Sequence, residues 1–268
     1  MFNTTAKRHL LPAATRLFAL PGLSRLPPLL EATGAALQSK RGGGYAAVWQ
    51  EIEGVLNFVN RSEPVIFDVG ANVGNWTSEL LKVLPHLRAV VMFEPQPSCW
   101  PALREMLSDR VMLEPRALSD KCGIVTLWAN SNPEISSLHE AAGGGPNSRP
   151  VSVQTTTIDN FIAAHRLDAV DYIKLDVEGH ELAAIKGARH ALEQRVVKAL
   201  SFEFGPADVA SRTFFNDIWQ YLMSFNLHLY RLGHDGFAIR IQQYSHDLES
   251  FSGVANYVAS FHEPKRSR

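Results

Sequence analysis

From Val65 onward the chain alternates short, continuous apolar runs with longer stretches whose apolar positions recur every three or four residues. The runs at 65–69, 89–94 and 111–114 are too short for helices and show no polar alternation, which predicts strands covered on both faces. Helices are predicted between them at about 75–84 and 98–109. The pattern returns with strands at 171–176 and 198–204 around a helix over about 180–194. Such alternation predicts a parallel sheet with right-handed crossovers. Ahead of it, residues 46–59 read as a helix with Ala47, Val48, Ile52, Val55, Leu56 and Phe58 on one face.

Two segments break the alternation. Ile124–Trp128 and Val151–Thr157 are rich in branched residues and predict an inserted or peripheral antiparallel pair. Their connector, Asn130 to Pro150, contains Gly143-Gly-Gly-Pro146 and is long enough to be a lid or a disordered loop. Residues 212–243 read as a helix followed by an antiparallel hairpin, 227–232 with 236–241.

The first 44 residues differ in kind. Lys7, Arg8, Arg16, Arg25, Lys40 and Arg41 stand against the single acid Glu31, with leucines interleaved. Arg16, Pro21, Pro27 and Pro28 interrupt any secretory apolar core. The expectation is a basic extension over 1–44 packing on a main domain of 45–262, with a peripheral membrane contact or an organellar address as alternatives. Lys40-Arg-Gly-Gly-Gly44 reads as a hinge, and Lys265-Arg-Ser-Arg268, within a tail of 263–268, as frayed.

Charge and cysteine content narrow the partners. With 26 Lys and Arg against 27 Asp and Glu, the chain lacks the basic excess of a nucleic-acid binder. Cys99 and Cys122 are too few for a disulfide framework, and no Cys/His cluster has zinc-ligand spacing. A reducing, cytoplasmic setting is expected. No apolar run approaches the ~18 residues of a membrane span.

The candidate chemistry starts at Val65-Ile-Phe-Asp-Val-Gly-Ala-Asn-Val-Gly-Asn75, a strand running into a glycine-punctuated turn and a helix start. Glycines there let backbone pass close to a ligand, and the helix start offers unpaired N–H groups. A dinucleotide fingerprint needs glycine at the first, third and sixth turn positions, but Gly70, Asn72 and Asn75 occupy them. Asp68, Gly70 and Gly74 instead make the Asp-x-Gly-x-x-x-Gly pattern used around S-adenosylmethionine. Asp68, Gly70, Asn72 and Gly74 are therefore assigned to that cofactor. Glu94 ends the second strand 24 residues beyond Gly70, where an acid is placed to bind a ribose diol; an exposed strand-end carboxylate is the plainer alternative.

Further along, Asp176, Glu178, His180 and Glu181 gather abruptly after the apolar Tyr172-Ile-Lys-Leu175. Several ionisable groups at the mouth of a buried strand make a functional-site candidate, although acids also favour a helix start for structural reasons alone. Asp176 and Glu178 point to one side if the strand continues. Glu203 is an isolated acid in an apolar strand and needs a partner or a cleft, Lys174 being the partner if the two share a face.

Phe67-Asp-Val-Gly-Ala-Asn-Val-Gly74, Phe93-Glu-Pro95, Ala117-Leu-Ser-Asp120 and Tyr172-Ile-Lys-Leu-Asp-Val-Glu-Gly-His-Glu181, in this order, resemble the FkbM-type methyltransferases of the class I family. The resemblance spans roughly residues 63–205. It implies an α/β, Rossmann-like class I fold: a mostly parallel seven-stranded sheet, a C-terminal antiparallel hairpin and a small β insertion. It also implies S-adenosyl-L-methionine as cofactor, adenine contact at 117–120 through Ser119 and Asp120, and O-methylation of a sugar, glycan or natural-product hydroxyl. A hydroxyl nucleophile needs a base, so His180, Asp176, Glu178 and Glu203 are the catalytic candidates, Asp176 also touching the cofactor. A divalent cation on Asp176 and Glu178 lacks a complete ligand set in the sequence. Acceptor selection is expected in the 130–150 connector, including Ser136, Ser137 and His139. N-methylation, a non-catalytic cofactor-binding protein and, against the missing third glycine, an NAD-dependent oxidoreductase are the alternatives.

Overall fold

Every residue of Val65–Val69 (β1) is buried, and successive side chains leave opposite faces of the strand. Ile66 packs with Leu80, Met92 and Ile52 on one side, and Phe67 with Phe93, Phe161 and Ile173 on the other. Both faces therefore need cover. The computed structural model, which describes residues 12, 14–40 and 45–266, supplies it with helices on each side of one sheet. Residues 1–11 and most of the expected hinge at 40–44 lie outside the described residues.

Ala89–Phe93 (β2) and Val111–Glu114 (β3) follow β1 as parallel neighbours. The chain then leaves the main sheet for a small one built from Ala117–Leu118 (β4), Gly123–Asn130 (β5) and Ser148–Thr156 (β6), in the order β4-β6-β5. The antiparallel β5–β6 pair is the expected insertion. Tyr172–Leu175 (β7) returns beside β1, and Ala199–Phe204 (β8) beside β7, both parallel. His228–Leu232 (β9), Ala238–Ile241 (β10) and Ala255–Ser260 (β11) complete an eight-stranded sheet in the order β10-β9-β11-β8-β7-β1-β2-β3.

The expected hairpin exists as β9–β10, but it is not next to β8. That place belongs to β11, antiparallel to both β8 and β9, so the sheet has eight strands rather than seven. β11 had no strand signature because its buried positions include Asn256 and Ser260, among small residues.

The helix expected over 180–194 is two, Glu181–Lys186 and Arg189–Glu193. A Cβ on Gly187 would lie 2.1 Å from the Ser119 carbonyl oxygen, so the chain bends where it passes that backbone. The Asp159 carboxylate then accepts from His190 N (2.9 Å) and Ala191 N (2.8 Å), starting the second helix from outside. The helix expected over 98–109 is confined to Trp100–Glu105.

The ends of the described chain are tied to this body. Lys40 is buried and ion-paired with Asp247, and its carbonyl accepts from Ser252 N. Lys265 and Arg266, expected in a frayed tail, dock on the Tyr45–Phe58 helix. Lys265 Nζ donates to the Leu56 and Val59 carbonyls, and Arg266 N to Asn57 Oδ1.

Candidate active site

The carboxyl ends of β1, β2, β7 and β8 open into one cleft of about 580 Å³, within the size range of small-molecule sites. Gly70, Asn72, Glu94, Asp176, Glu178, His180 and Glu203 line it. Asp68, Gly74, Ser119 and Asp120, expected to touch the cofactor, do not.

Each of the four has a different neighbour. Asp68 is fully buried beneath the floor, where Oδ2 accepts from Thr77 Oγ1 (2.6 Å) and Oδ1 lies 3.5 Å from Lys174 Nζ. Gly74 has φ 89°, and a Cβ there would meet Met106 Sδ at 2.4 Å, so it serves the turn. Ser119 Oγ lies 3.0 Å from His180 Nε2 and 3.2 Å from Asp120 Oδ1. At this strand end only Ala117 and Leu118 reach the cleft.

Gly70 combines φ 78° with a close approach: its Cβ would fall 1.8 Å from the Asp176 carbonyl oxygen. The glycine thus lets the turn after β1 meet the turn after β7. Beside this contact Lys174 Nζ donates to Asp176 Oδ2 at 3.0 Å, so the partners of Lys174 are Asp68 and Asp176 rather than Glu203.

Glu94 is buried at the end of β2. Oε2 accepts from Asn72 N and Oε1 from Gln96 N, each at 2.8 Å. Two backbone donors fix the carboxylate plane and leave further lone pairs toward the cleft. Burial pushes its carboxyl up to about 7, against the pull of those two N–H groups. The acceptor pair suits a ribose diol.

After Leu175 the strand ends, so Asp176 and Glu178 do not share a strand face as expected; both line the cleft by way of the turn. Glu178 has φ 51°, and Gly179 follows at φ 90°. Burial, and then the Asp176 and Asp208 charges, push the Glu178 carboxyl up to about 8. Glu181 lies outside the cleft and accepts from Val177 N at 2.9 Å. His180 has both ring nitrogens engaged, Nε2 by Ser119 and Nδ1 by His139 Nε2 at 3.1 Å. Burial, then His139, depress it to about 4.

The connector is folded: Pro133–Ile135 is a 3-10 turn and Glu140–Gly143 a short helix. Ser137 Oγ donates to the Glu178 carbonyl at 2.6 Å, which ties the connector to the turn after β7. Ser136, with Pro133, Glu134 and Leu138, forms one wall, continuous with Phe93, Leu118 and Leu127. Ser137 and His139 brace that wall from behind.

Glu51, on the Tyr45–Phe58 helix, also lines the cleft and was missed in the sequence. Burial pushes it to about 8, partly offset by Lys174. Helical periodicity puts it on the apolar face, one turn from Ala47, Val48 and Val55, where a buried acid is costly and so marks a cleft; that was the signal that could have found it. Among the described residues no group of three or more His, Cys, Asp or Glu is arranged to hold a metal ion.

A family model described as the methyltransferase FkbM domain matches residues 68–232, more than half of the chain. The 2-O-methyltransferase NoeI of Sinorhizobium fredii is 26% identical over 153 residues, 52% of this chain and 63% of that protein. The hexuronic acid methyltransferase AglP of Haloferax volcanii is 27% identical over 135 residues, 49% of this chain and 52% of that protein. The chain thus spans less than two thirds of the length of these curated relatives. A solved structure of a methyltransferase FkbM from Methylobacillus flagellatus KT aligns with 87% of this chain and 60% of its own, at TM-score 0.48 and 17% identity.

Proposed function

The chain belongs to the FkbM methyltransferase domain family, and from that premise we propose that it transfers a methyl group from S-adenosylmethionine to a hydroxyl of a sugar or glycan. The names of its relatives, a 2-O-methyltransferase and a hexuronic acid methyltransferase, support the acceptor class. One observation carries the reading. Glu94, oriented by two backbone donors, opens into the same cleft as Glu178, an acid with a raised pKa at the end of β7. We take 45–262 as the catalytic unit, in a reducing, cytoplasmic setting to which the free thiols of Cys99 and Cys122 are suited.

The residues present fit the cofactor. Glu94 would hold the ribose, the wall of Phe93, Leu118, Leu127 and Leu138 the adenine, and the Gly70–Asp176 junction the methionyl portion. When bound, the cofactor supplies an electrophilic methyl group on a sulfonium sulfur. The protein's own contribution is alignment of the nucleophile, exclusion of water and removal of one proton. Glu178 is the base in this reading. It is cleft-facing, and a carboxylate whose conjugate acid lies near 8 is a far stronger base than an ordinary one. His180, with both ring nitrogens occupied, orders the connector instead.

Calorimetry with S-adenosylmethionine and NAD, followed by mass spectrometry of a sugar panel, tests the proposal. Micromolar binding of the first alone and a methyl ether on a sugar oxygen are expected. Binding of NAD instead, or a methylated nitrogen, would rule it out.

A further inference from the structure

The cofactor residues sit over β1 and β2, which leaves the β7 and β8 side of the cleft to the acceptor. Besides Glu79, Glu94 and Asp176, four acids from four separate elements line the cleft. They are Glu51 on the Tyr45–Phe58 helix, Glu134 in the connector, Glu178 after β7 and Glu203 near the end of β8. Among the described residues lining the cleft, Lys174 is the one lysine or arginine. It is already committed, 3.0 Å from Asp176 and 3.5 Å from Asp68. The one lining histidine, His180, has its ring nitrogens on Ser119 and His139. Glu203, largely buried in a strand otherwise apolar at this end, makes no hydrogen bond or ion pair among the described residues.

An anionic acceptor would enter this space without a counter-ion. A carboxylate or phosphate removed from water needs charged partners or several strong donors, ordinarily an arginine fork. Burial already holds Glu51, Glu178 and Glu203 largely as neutral carboxyls, and an anion lodged beside them would oppose the ionisation that Glu178 needs to act as base. S-adenosylmethionine has two positive groups and one carboxylate, so it brings only a single net positive charge to the cleft. The same acids are good acceptors for hydroxyl and ammonium donors. Resting on the O-methylation reading above, we propose that the acceptor is a neutral or amino-bearing sugar, and that carboxylated and phosphorylated sugars are rejected by charge. The chain would thereby differ from the relative named for a hexuronic acid.

Matched trios of methyl glycosides test this: the neutral hexoside, its uronate and its 2-amino counterpart, in the gluco, galacto and manno series. Each is offered to the full chain with S-adenosylmethionine, and release of S-adenosylhomocysteine is followed. The same trios are titrated into the S-adenosylhomocysteine complex by saturation-transfer NMR, so binding is read even without turnover. The neutral or amino member is expected to exceed the uronate by at least about tenfold, a gap that narrows with added salt. Glu134→Lys, at the exposed rim, should narrow it further. A uronate that binds or reacts as well as its neutral partner overturns the proposal, and so does indifference across the trios, binding of none included. Discrimination in binding without any methyl release would support it while counting against the proposed transfer.

Discussion

Asn72 and Glu178, two non-glycine residues of the cleft, are both held at φ 51°. Asparagine tolerates that region; glutamate does so at a cost of roughly 1–3 kcal/mol that the surrounding structure must offset. Glu178→Gly should therefore leave the melting temperature equal or higher while removing turnover, which calorimetry and a methyl-release assay would read separately. Glu178→Gln should lower kcat by on the order of 10²-fold or more, the range of a lost general base, with cofactor affinity nearly unchanged. The wild-type rate should rise with pH up to about 8 and then level, since the base is the deprotonated form; a flat profile would exclude Glu178. Glu94→Ala should weaken S-adenosylhomocysteine binding at least about tenfold by calorimetry. It should also destabilise the fold by about 1–3 kcal/mol, because Asn72 N and Gln96 N lose their acceptor.

At the scale of elements, the sequence was most readable where burial is two-sided. β1, β2 and β3 are continuous apolar runs, and their positions follow within a residue or so. The turn residues were legible too, but their partners were not. Gly70 and Gly187 are required by the Asp176 and Ser119 carbonyls, contacts made across more than 60 residues of chain. Glu94, Asp176 and Glu178 reached the cleft as read, whereas Asp68 is a buried partner of Lys174, and Glu51 was passed over as a lone acid on an otherwise apolar helix face. The connector's hold on the site rests on few bonds. Ser137→Ala removes its link to the Glu178 carbonyl and should speed amide hydrogen exchange across 131–139 without unfolding the sheet. In the extension, the Leu26–Leu37 helix buries none of its residues, and Leu26, Leu29, Leu30 and Leu37 are exposed beside Arg25.

For the molecule as a whole, the concentration of acids sets the response to pH. Glu51 and Glu178 are raised to about 8, Glu94 and Asp208 to about 7, each chiefly by burial. A group raised in the folded state contributes stability that is complete below its unfolded value, near 4.5 for Glu, and lost as pH rises through the folded value. His180, depressed to about 4, has the opposite sign and favours the fold above 6.5. The four acids outweigh the one histidine, so the melting temperature should peak at about pH 4 to 5 and decline from there toward about pH 8.5, and Glu178→Gln should flatten that decline.

The position of β11 has a consequence for biogenesis. The family match ends at Leu232, yet the strand that bridges β8 to β9 is made only from residues 255–260. Until those residues leave the ribosome, two apolar strands stand side by side with open edges and a gap between them. A nascent chain stopped before Ala255 is a template for pairing with its neighbours, so the sheet can close only once residues 255–260 are available.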